Sequence, residues 1–273
     1  MMRILLIFLL LCPAAMAETF LGREAIVRDF RSDQTNPAPL ILMLHGGFGR
    51  PTQMQRYTDF DIHARKAGVV VVYAKSARRG WHDGRYSNGV DDVGYLTNVV
   101  ARLVQTGVAD EACIFAFGHS NGGGMAMRLA CDRPGLLAGI GVVATKALSA
   151  YPCRDGAAVP AIFIHGTADP LAKHEGREEG HRFGGTLSSD ATMALWATRN
   201  GCEGGLTIRR IDEVEDETAL AVERWHGCRA PVLRYKIIGG GHGWPGGRSF
   251  VRMGPQTLEM NAGAELLRFF LTR

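Results

Sequence analysis

The sequence predicts a doubly wound α/β fold, in which helices cover both faces of a mostly parallel sheet. Short apolar runs alternate with amphipathic helical patterns along the 273 residues. Several of these runs are apolar at every position, as in strands that are buried on both faces. No change in composition marks a second domain. We therefore expect one domain from residue 18 to residue 273, after an export signal.

Six runs have the length and composition of buried strands. Residues 171 to 185, by contrast, are polar and rich in glycine, so we expect them to form a loop over the edge of the sheet. The predicted strands are Leu40–Leu44, Val69–Tyr73, Cys113–Gly118, Ile140–Ala144, Ala161–Ile164 and Val232–Ile238.

Helical patterns lie between these strands. Asp91 or Asp92 can cap a helix whose apolar residues recur three and four positions apart, and Gly107 ends it. Asp92 is therefore interpreted as a cap or structural partner rather than as a catalytic acid. Two more helices are predicted, one opened by Ser188 or Ser189 with Trp196 in the core, and one from about Thr257 to Leu271.

The first 17 residues have the form of a secretory signal. Arg3 precedes the apolar run Ile4–Leu11, Pro13 breaks the run, and small residues around Ala17 fit a cleavage site. The run is shorter than the roughly 20 residues that a membrane-spanning helix needs. We predict cleavage near Ala17 and export to the periplasm or the extracellular space. A buried N-terminal helix is the alternative interpretation.

Charge and motif content argue against several classes of function. The formal net charge is +4, and the basic residues are scattered rather than clustered as in a nucleic-acid footprint. The sequence contains no H-E-x-x-H and no two cysteines separated by two residues, and the early glycines Gly46, Gly47 and Gly49 do not form G-x-G-x-x-G. We therefore expect no metal, no cofactor and no nucleic-acid partner. The sequence leaves the oligomeric state open.

Cysteine usage agrees with export, because an oxidising compartment favours disulfides. Cys113 begins an apolar strand and is expected to be a buried thiol. The other four cysteines beyond Ala17 can pair, and sequence alone does not fix the connectivity. We expect Cys131 to pair with Cys153, and Cys202 with Cys228.

The segment Gly118-His119-Ser120-Asn121-Gly122 matches G-x-S-x-G between a predicted strand and a predicted helix. A sharp turn of this kind exposes a serine hydroxyl at the carboxyl edge of the sheet and is typical of the α/β-hydrolase fold. The glycines allow the strand and the helix to approach each other closely. We therefore predict that Ser120 is a nucleophile.

A serine hydroxyl needs a base to accept its proton, and in this fold the chain order is serine, acid, histidine. His242 lies in the glycine-rich segment 239–245, directly after the last predicted strand, and is the candidate base. Asp169 follows the strand Ala161–Ile164 and is the candidate acid, which would hold the imidazole in one tautomer. The alternative for Asp169 is a turn residue before Pro170.

Acyl transfer places negative charge on the substrate carbonyl oxygen. Main-chain amides aimed at that oxygen each stabilise the transition state by about 3 kcal/mol. We expect these amides to belong to Asn121, directly after the nucleophile, and to Gly47, in the loop after an early strand. Trp81 and Trp244 are candidates for the substrate pocket, with core packing as an equal alternative.

Longer segments of the sequence match a known family. They are Leu44–Gly47, Trp81–Gly84, Val90–Leu96, Gly118–Gly123, Arg128–Cys131, His165–Pro170, Trp196 with Asn200–Cys202, and Gly240–Gly246. On these segments the sequence resembles the secreted polyhydroxybutyrate depolymerase and feruloyl esterase group of α/β-hydrolases. The resemblance implies the triad of Ser120, Asp169 and His242, the Cys202–Cys228 disulfide, and hydrolysis of esters of hydroxy or aromatic acids.

Two points qualify what the resemblance implies about substrate. His119 stands where the group more often has an apolar residue, so we expect it to reshape the pocket beside Ser120. No polymer- or carbohydrate-binding module follows the last predicted helix, which favours soluble esters or oligomers over a solid polymer. An acyltransferase or a peptidase on the same fold, or a non-catalytic binding protein, are the alternatives.

Overall fold

The computed structural model describes residues 16–85, 89–154, 156–181 and 183–272, which are built around one ten-stranded sheet. Its strands are β1 (Met16–Phe20), β2 (Arg23–Asp29), β3 (Ala38–Leu44), β4 (Val70–Ala74), β5 (Ala109–His119), β6 (Gly139–Val143), β7 (Ala161–Gly166), β8 (Leu206–Ile211), β9 (Ala219–Trp225) and β10 (Val232–Ile238). The helices are α1 (Pro51–Thr58), α2 (Asp61–Ala67), α3 (Asp92–Gln105), α4 (Asn121–Asp132), α5 (Ser189–Arg199) and α6 (Ala262–Leu271), with a 3-10 turn at Val251–Met253.

The strand order explains which runs are fully apolar. Across the sheet it is β1-β2-β4-β3-β5-β6-β7-β10-β9-β8. The central strands, β4 to β10 in that order, pair in parallel, whereas β1, β2, β9 and β8 add antiparallel edges. Every residue of β4, β6 and β7 is buried, because helices cover both faces of the sheet. The predicted doubly wound α/β fold is confirmed.

Two hydrophobic clusters lie on opposite faces of the sheet. One joins alternate strand residues to the apolar sides of α3, α4 and α5, with Trp196 fully buried in it. The other joins the remaining strand residues to α1, α2 and α6. Burial of this apolar surface is the main force that holds the helices on the sheet.

The structure extends and corrects the predicted elements. The edge strands β1, β2, β8 and β9 and the helices α1 and α2 were not predicted. In β8 every residue except the last is exposed, so no apolar pattern marks it. The last helix begins at Ala262, not at about Thr257, because the Asn261 side chain accepts a hydrogen bond from the Ala264 N–H and caps it there. Asp91, rather than Asp92, caps α3 by accepting from the Gly94 N–H.

The cysteines pair as expected. Disulfides join Cys131 to Cys153 and Cys202 to Cys228, and Cys113 is a free thiol. Cys113 is half-buried rather than buried, because it lies near the start of β5 before the fully covered part of that strand.

The predicted export signal falls mainly outside the described residues. Residues 1–15 are not described, and the main chain of Met16 and Ala17 pairs with β2 as the start of β1. The signal and its cleavage near Ala17 stay predictions. Among the described residues, no helix combines the length and the apolar character required to cross a membrane.

A buried ion pair ties β10 to β9. The Arg234 Nε donates to Glu223 Oε2 over 2.8 Å, and Arg234 Nη1 donates to the Ser189 hydroxyl. Arg234 also pairs with the exposed Asp190 over 2.7 Å. Both Arg234 and Glu223 are buried. Arg234 lies opposite Glu223 in the pairing of β10 with β9, and either charge alone would be poorly solvated there, so each stabilises the other.

Replacing Glu223 with Gln tests this role. We expect Glu223→Gln to lower the free energy of unfolding by about 3 kcal/mol, because Arg234 then stays buried with only the exposed Asp190 as counter-ion. The matched control is Glu24→Gln, which removes an exposed pair with Lys75 and should change the value by less than about 1 kcal/mol. Urea unfolding measures both, and equal effects would contradict the assignment.

Candidate active site

The sharp turn between β5 and α4 places Ser120 in a strained conformation. Its φ is 53° and its ψ is −121°, a backbone conformation that residues other than glycine rarely adopt. A Cβ on Gly118 would lie 2.2 Å from the Gly122 main chain, and one on Gly122 would lie 2.2 Å from the Leu44 carbonyl oxygen. The glycines of the G-x-S-x-G pattern are therefore required by backbone contacts, as the sequence predicted.

The other predicted residues lie at the same edge of the sheet. Gly47 follows β3, Ser120 follows β5, Asp169 follows β7 and His242 follows β10. These strands are parallel, so their carboxyl ends meet at one edge, where α/β folds bind ligands. Residues far apart in the chain are thus brought to one place.

His242 is held by hydrogen bonds on three sides. Its Nδ1 donates to Asp169 Oδ2 over 2.7 Å, its main-chain N–H donates to the Met253 carbonyl over 2.6 Å, and its carbonyl accepts from His119 Nε2 over 2.9 Å. Because a carboxylate only accepts, the Nδ1 carries the proton, and Nε2 of the neutral ring keeps its lone pair.

Asp169 is buried and accepts several hydrogen bonds. The main-chain N–H groups of Leu171 and Ala172 donate to its Oδ1 over 2.8 and 2.6 Å. Its Oδ2 faces His242 and lies 3.4 Å from His165 Nε2. Burial by itself raises the pKa of Asp169, but the hydrogen bonds from His165, His242 and Ala172 outweigh burial and hold that pKa well below its ordinary value. The carboxylate is therefore ionised.

His119 packs directly against His242. Its ring lies edge-on to the His242 ring with 5.0 Å between centroids, and it contacts Tyr57 in the same manner at 5.2 Å. Burial lowers the pKa of His119 to about 3, with the nearby His242 as a further cause. The ring is thus neutral, with its proton on Nε2, and it fixes the position of the loop that carries His242. This contact explains why a polar residue is accommodated beside Ser120.

The predicted oxyanion amides lie beside Ser120. A Cβ on Gly46 would be 3.5 Å from Ser120 Cβ, and one on Gly47 would be 4.0 Å from Asn121 Cβ. In the described part of the chain, neither the Gly47 nor the Asn121 main-chain N–H donates to another protein group. The Asn121 side chain instead accepts from the Trp81 N–H over 2.6 Å, which anchors the turn.

A cavity of about 590 Å³ opens in front of these groups and is lined by Ser120, His242, His119, Asn121 and Gly47. The Ser120 hydroxyl makes no hydrogen bond to any described residue. Catalytic hydrogen bonds are often long in enzymes without substrate and shorten when substrate binds.

Trp81 and Trp244 do not line this cavity, which corrects the pocket assignment. They are 1% and 0% exposed. The Trp81 Nε1–H donates to the His45 carbonyl over 2.9 Å, and Trp244 belongs to the hydrophobic cluster under α1 and α6. Both side chains point into the core because the loops that carry them turn inward, a feature that sequence spacing does not encode.

The cavity includes residues that the sequence did not single out. Tyr57 of α1, Lys146 after β6, and Arg177 and Phe183 of the polar loop all line it. Lys146 could have been noticed, because a lysine directly after a buried strand is unusual. Tyr57 carries no such signal, and Arg177 is one of several charges in a polar segment.

Comparison with known proteins finds esterases among the relatives of this chain. It is 30% identical to "Putative esterase NocK" of Nocardia uniformis subsp. tsuyamanensis over 229 residues, which are 77% of this chain and 66% of that protein. It is 23% identical to feruloyl esterase B of Piromyces equi over 81% of this chain and 42% of that protein. With feruloyl esterase C of Emericella nidulans it shares 27% identity over 82% of this chain and 78% of that protein.

The chain is thus similar to an esterase and to feruloyl esterases over about four fifths of its own length. It spans about two thirds of the length of the first of these relatives and less than half of the second. Among solved structures, an acetyl xylan esterase from Aspergillus awamori superposes with a TM-score of 0.62 at 14% identity, covering 92% of this chain and 94% of that chain. This likeness supports the fold alone. No protein-family model matches the chain.

The neutral, buried His119 makes stability depend on pH. Between about pH 6.5, the ordinary value for histidine, and pH 3, the unfolded chain binds a proton that the folded chain does not. Stability is therefore full above that range and is lost as the pH falls through it. The Gln side chain of His119→Gln can still donate to the His242 carbonyl. This substitution should reduce the slope of the free energy of unfolding against pH by up to about 1.4 kcal/mol per pH unit.

Urea unfolding at pH 7, 6, 5 and 4 measures this slope. The control is His181→Gln, since His181 is exposed and lies outside the cavity lining. A parent and a His119→Gln protein with parallel curves would show that His119 is not buried in its neutral form.

Proposed function

We propose that this chain is a serine hydrolase of carboxylic esters, with Ser120 as nucleophile, His242 as base and Asp169 as the acid that orients the base. The observation that carries the proposal is the Asp169–His242 hydrogen bond of 2.7 Å. It leaves the Nε2 lone pair of His242 available in the cavity that Ser120 also lines. The similarity of the chain to proteins named esterases adds independent support.

The reaction proceeds by two acyl transfers. His242 accepts the Ser120 proton on Nε2 as Oγ attacks the ester carbonyl, and Asp169 stabilises the imidazolium that forms. The main-chain N–H groups of Asn121 and Gly47 receive the oxyanion. His242 then gives the proton to the departing alcohol, leaving an acyl group on Ser120. Water, activated by His242, releases the acid and restores the serine.

The cavity suits a small or medium-sized ester. Its volume of about 590 Å³ lies within the range typical of small-molecule sites. The similarity to relatives named feruloyl esterases favours esters of aromatic acids as substrates, and hydroxy-acid oligomers are the second candidate. We include in the proposal that residues 18–273 act as one catalytic domain, exported to the periplasm or the extracellular space after cleavage near Ala17. The disulfides favour such an oxidising compartment.

Removing the Ser120 hydroxyl tests the proposal. We expect the parent to release p-nitrophenol from p-nitrophenyl butyrate, and Ser120→Ala to lower kcat by at least about 10³-fold, because no other group can form the acyl intermediate. The control is Ser149→Ala, at a serine outside the cavity lining, which should keep the activity of the parent. Circular dichroism establishes that all three proteins are folded.

The other outcomes separate the alternatives. Equal activity in the parent and in Ser120→Ala would show that Ser120 is not the nucleophile. A folded but inactive parent would favour a binding protein. Faster product release on addition of an alcohol, together with formation of the new ester, would identify an acyltransferase in preference to a hydrolase.

A further inference from the structure

The charges around the cavity are one-sided. Its lining includes the basic residues Arg56, Arg85, Lys146, Arg177 and Arg248, and it includes no aspartate or glutamate among the described residues. Asp169 lies behind His242 and is engaged by its own hydrogen bonds. A cavity lined by one sign of charge concentrates ligands of the opposite sign.

The charges of three of these cations are balanced by a carboxylate or screened by water. Arg85 forms a salt bridge with Asp83 through hydrogen bonds of 2.6 to 3.0 Å, so a buried carboxylate already balances it. Arg56 and Arg248 are exposed at the rim, where water screens their charge. The two cations without such compensation are Lys146 and Arg177.

Lys146 is buried to an unusual degree for a lysine. It is 2% exposed, and its ammonium group donates over 2.9 Å to the Ala172 carbonyl. An ammonium has three N–H donors, and no salt bridge of Lys146 forms within the described residues. Burial lowers the pKa of Lys146 to about 8, while the more distant Asp169 and Glu175 act in the opposite direction.

Arg177 lies in the loop over the same cavity. It pairs with Thr186 through two main-chain hydrogen bonds of 3.0 Å, and its guanidinium lies 5.8 Å from the centre of the Phe183 ring. Its guanidinium forms no salt bridge with any described residue. The hydroxyl of Thr186, which also lines the cavity, is buried and has no hydrogen-bond partner among the described residues.

The buried ammonium of Lys146, the half-buried guanidinium of Arg177 and the unsatisfied Thr186 hydroxyl face one cavity, and such groups are costly to bury unless a ligand completes them. We propose that Lys146, Arg177 and the Thr186 hydroxyl bind a carboxylate of the substrate. The inference rests on the proposed function and narrows it: the preferred substrates are esters that carry a second, free carboxylate in the same molecule. Half-esters of dicarboxylic acids have this feature on the acyl side, and oligomers of hydroxy acids have it on the alcohol side.

A pair of matched probes tests the acyl side, and a second pair tests the alcohol side. Mono-p-nitrophenyl glutarate carries the carboxylate, and p-nitrophenyl pentanoate is its neutral counterpart of similar length. For the alcohol side, 3-butyryloxybutanoate is compared with its methyl ester by chromatographic measurement of the butyrate released, because hydrolysis of the methyl ester bond would also release acid. The measured quantity is the ratio of kcat/KM for the charged probe to that for the neutral probe, in each pair.

We expect the ratio to exceed one in at least one pair, and to fall about 10-fold or more in Arg177→Gln, since a charge-assisted hydrogen bond is lost. Thr186→Val should lower it in the same direction. Arg209→Gln is the control, because it removes the same charge from an exposed position on β8. The pair that shows the preference identifies the side of the ester that carries the carboxylate.

The failures are distinguishable. If the parent hydrolyses the neutral probes, but neither ratio changes in Arg177→Gln relative to Arg209→Gln, the carboxylate site is wrong and the esterase proposal stands. If the parent hydrolyses nothing, the esterase proposal fails. Calorimetry of mono-p-nitrophenyl glutarate then decides the site alone: weaker binding to Ser120→Ala/Arg177→Gln than to Ser120→Ala supports it, and equal binding overturns it.

Discussion

The close approach of β5 and α4 at Ser120 is the constraint on which the arrangement depends. Gly118 and Gly122 leave no room for a side chain, because the main chain of Gly122 and the Leu44 carbonyl fill the space where a Cβ would lie. The turn therefore presents Ser120 at the sheet edge with a positive φ. Packing on both faces of the sheet holds this strained turn in place.

Hydrogen bonds that do not involve Ser120 hold His242 in place. The segment before α6 accepts from its main-chain N–H, His119 donates to its carbonyl, and Asp169 accepts from its ring. Each partner comes from a different part of the chain. The ring orientation is therefore set before any substrate arrives, which is the condition that acid–base chemistry requires.

The surroundings of each ionisable group around the cavity set its charge state. Asp169 is ionised because hydrogen bonds favour its charged form, and His119 is neutral because burial disfavours its charged form. Lys146 and Arg177 form no salt bridge with a described residue, and Lys146 donates to the carbonyl of Ala172, whose N–H donates to Asp169. The hydrolytic groups and the cations thus line one cavity.

The central sheet and the turn at Ser120 could be predicted from the sequence. Fully buried strands read as continuous apolar runs, and the glycines around Ser120 are dictated by local backbone contacts, so both are visible in short segments. The sequence did not reveal β8, whose exposed residues follow no apolar pattern, or the start of α6 at the Asn261 cap. Only the tertiary structure buried Trp81 and Trp244 and brought Lys146 to Arg177. Those outcomes depend on how loops from distant strands fold over the sheet edge, and no local pattern encodes a contact between segments so far apart in the chain.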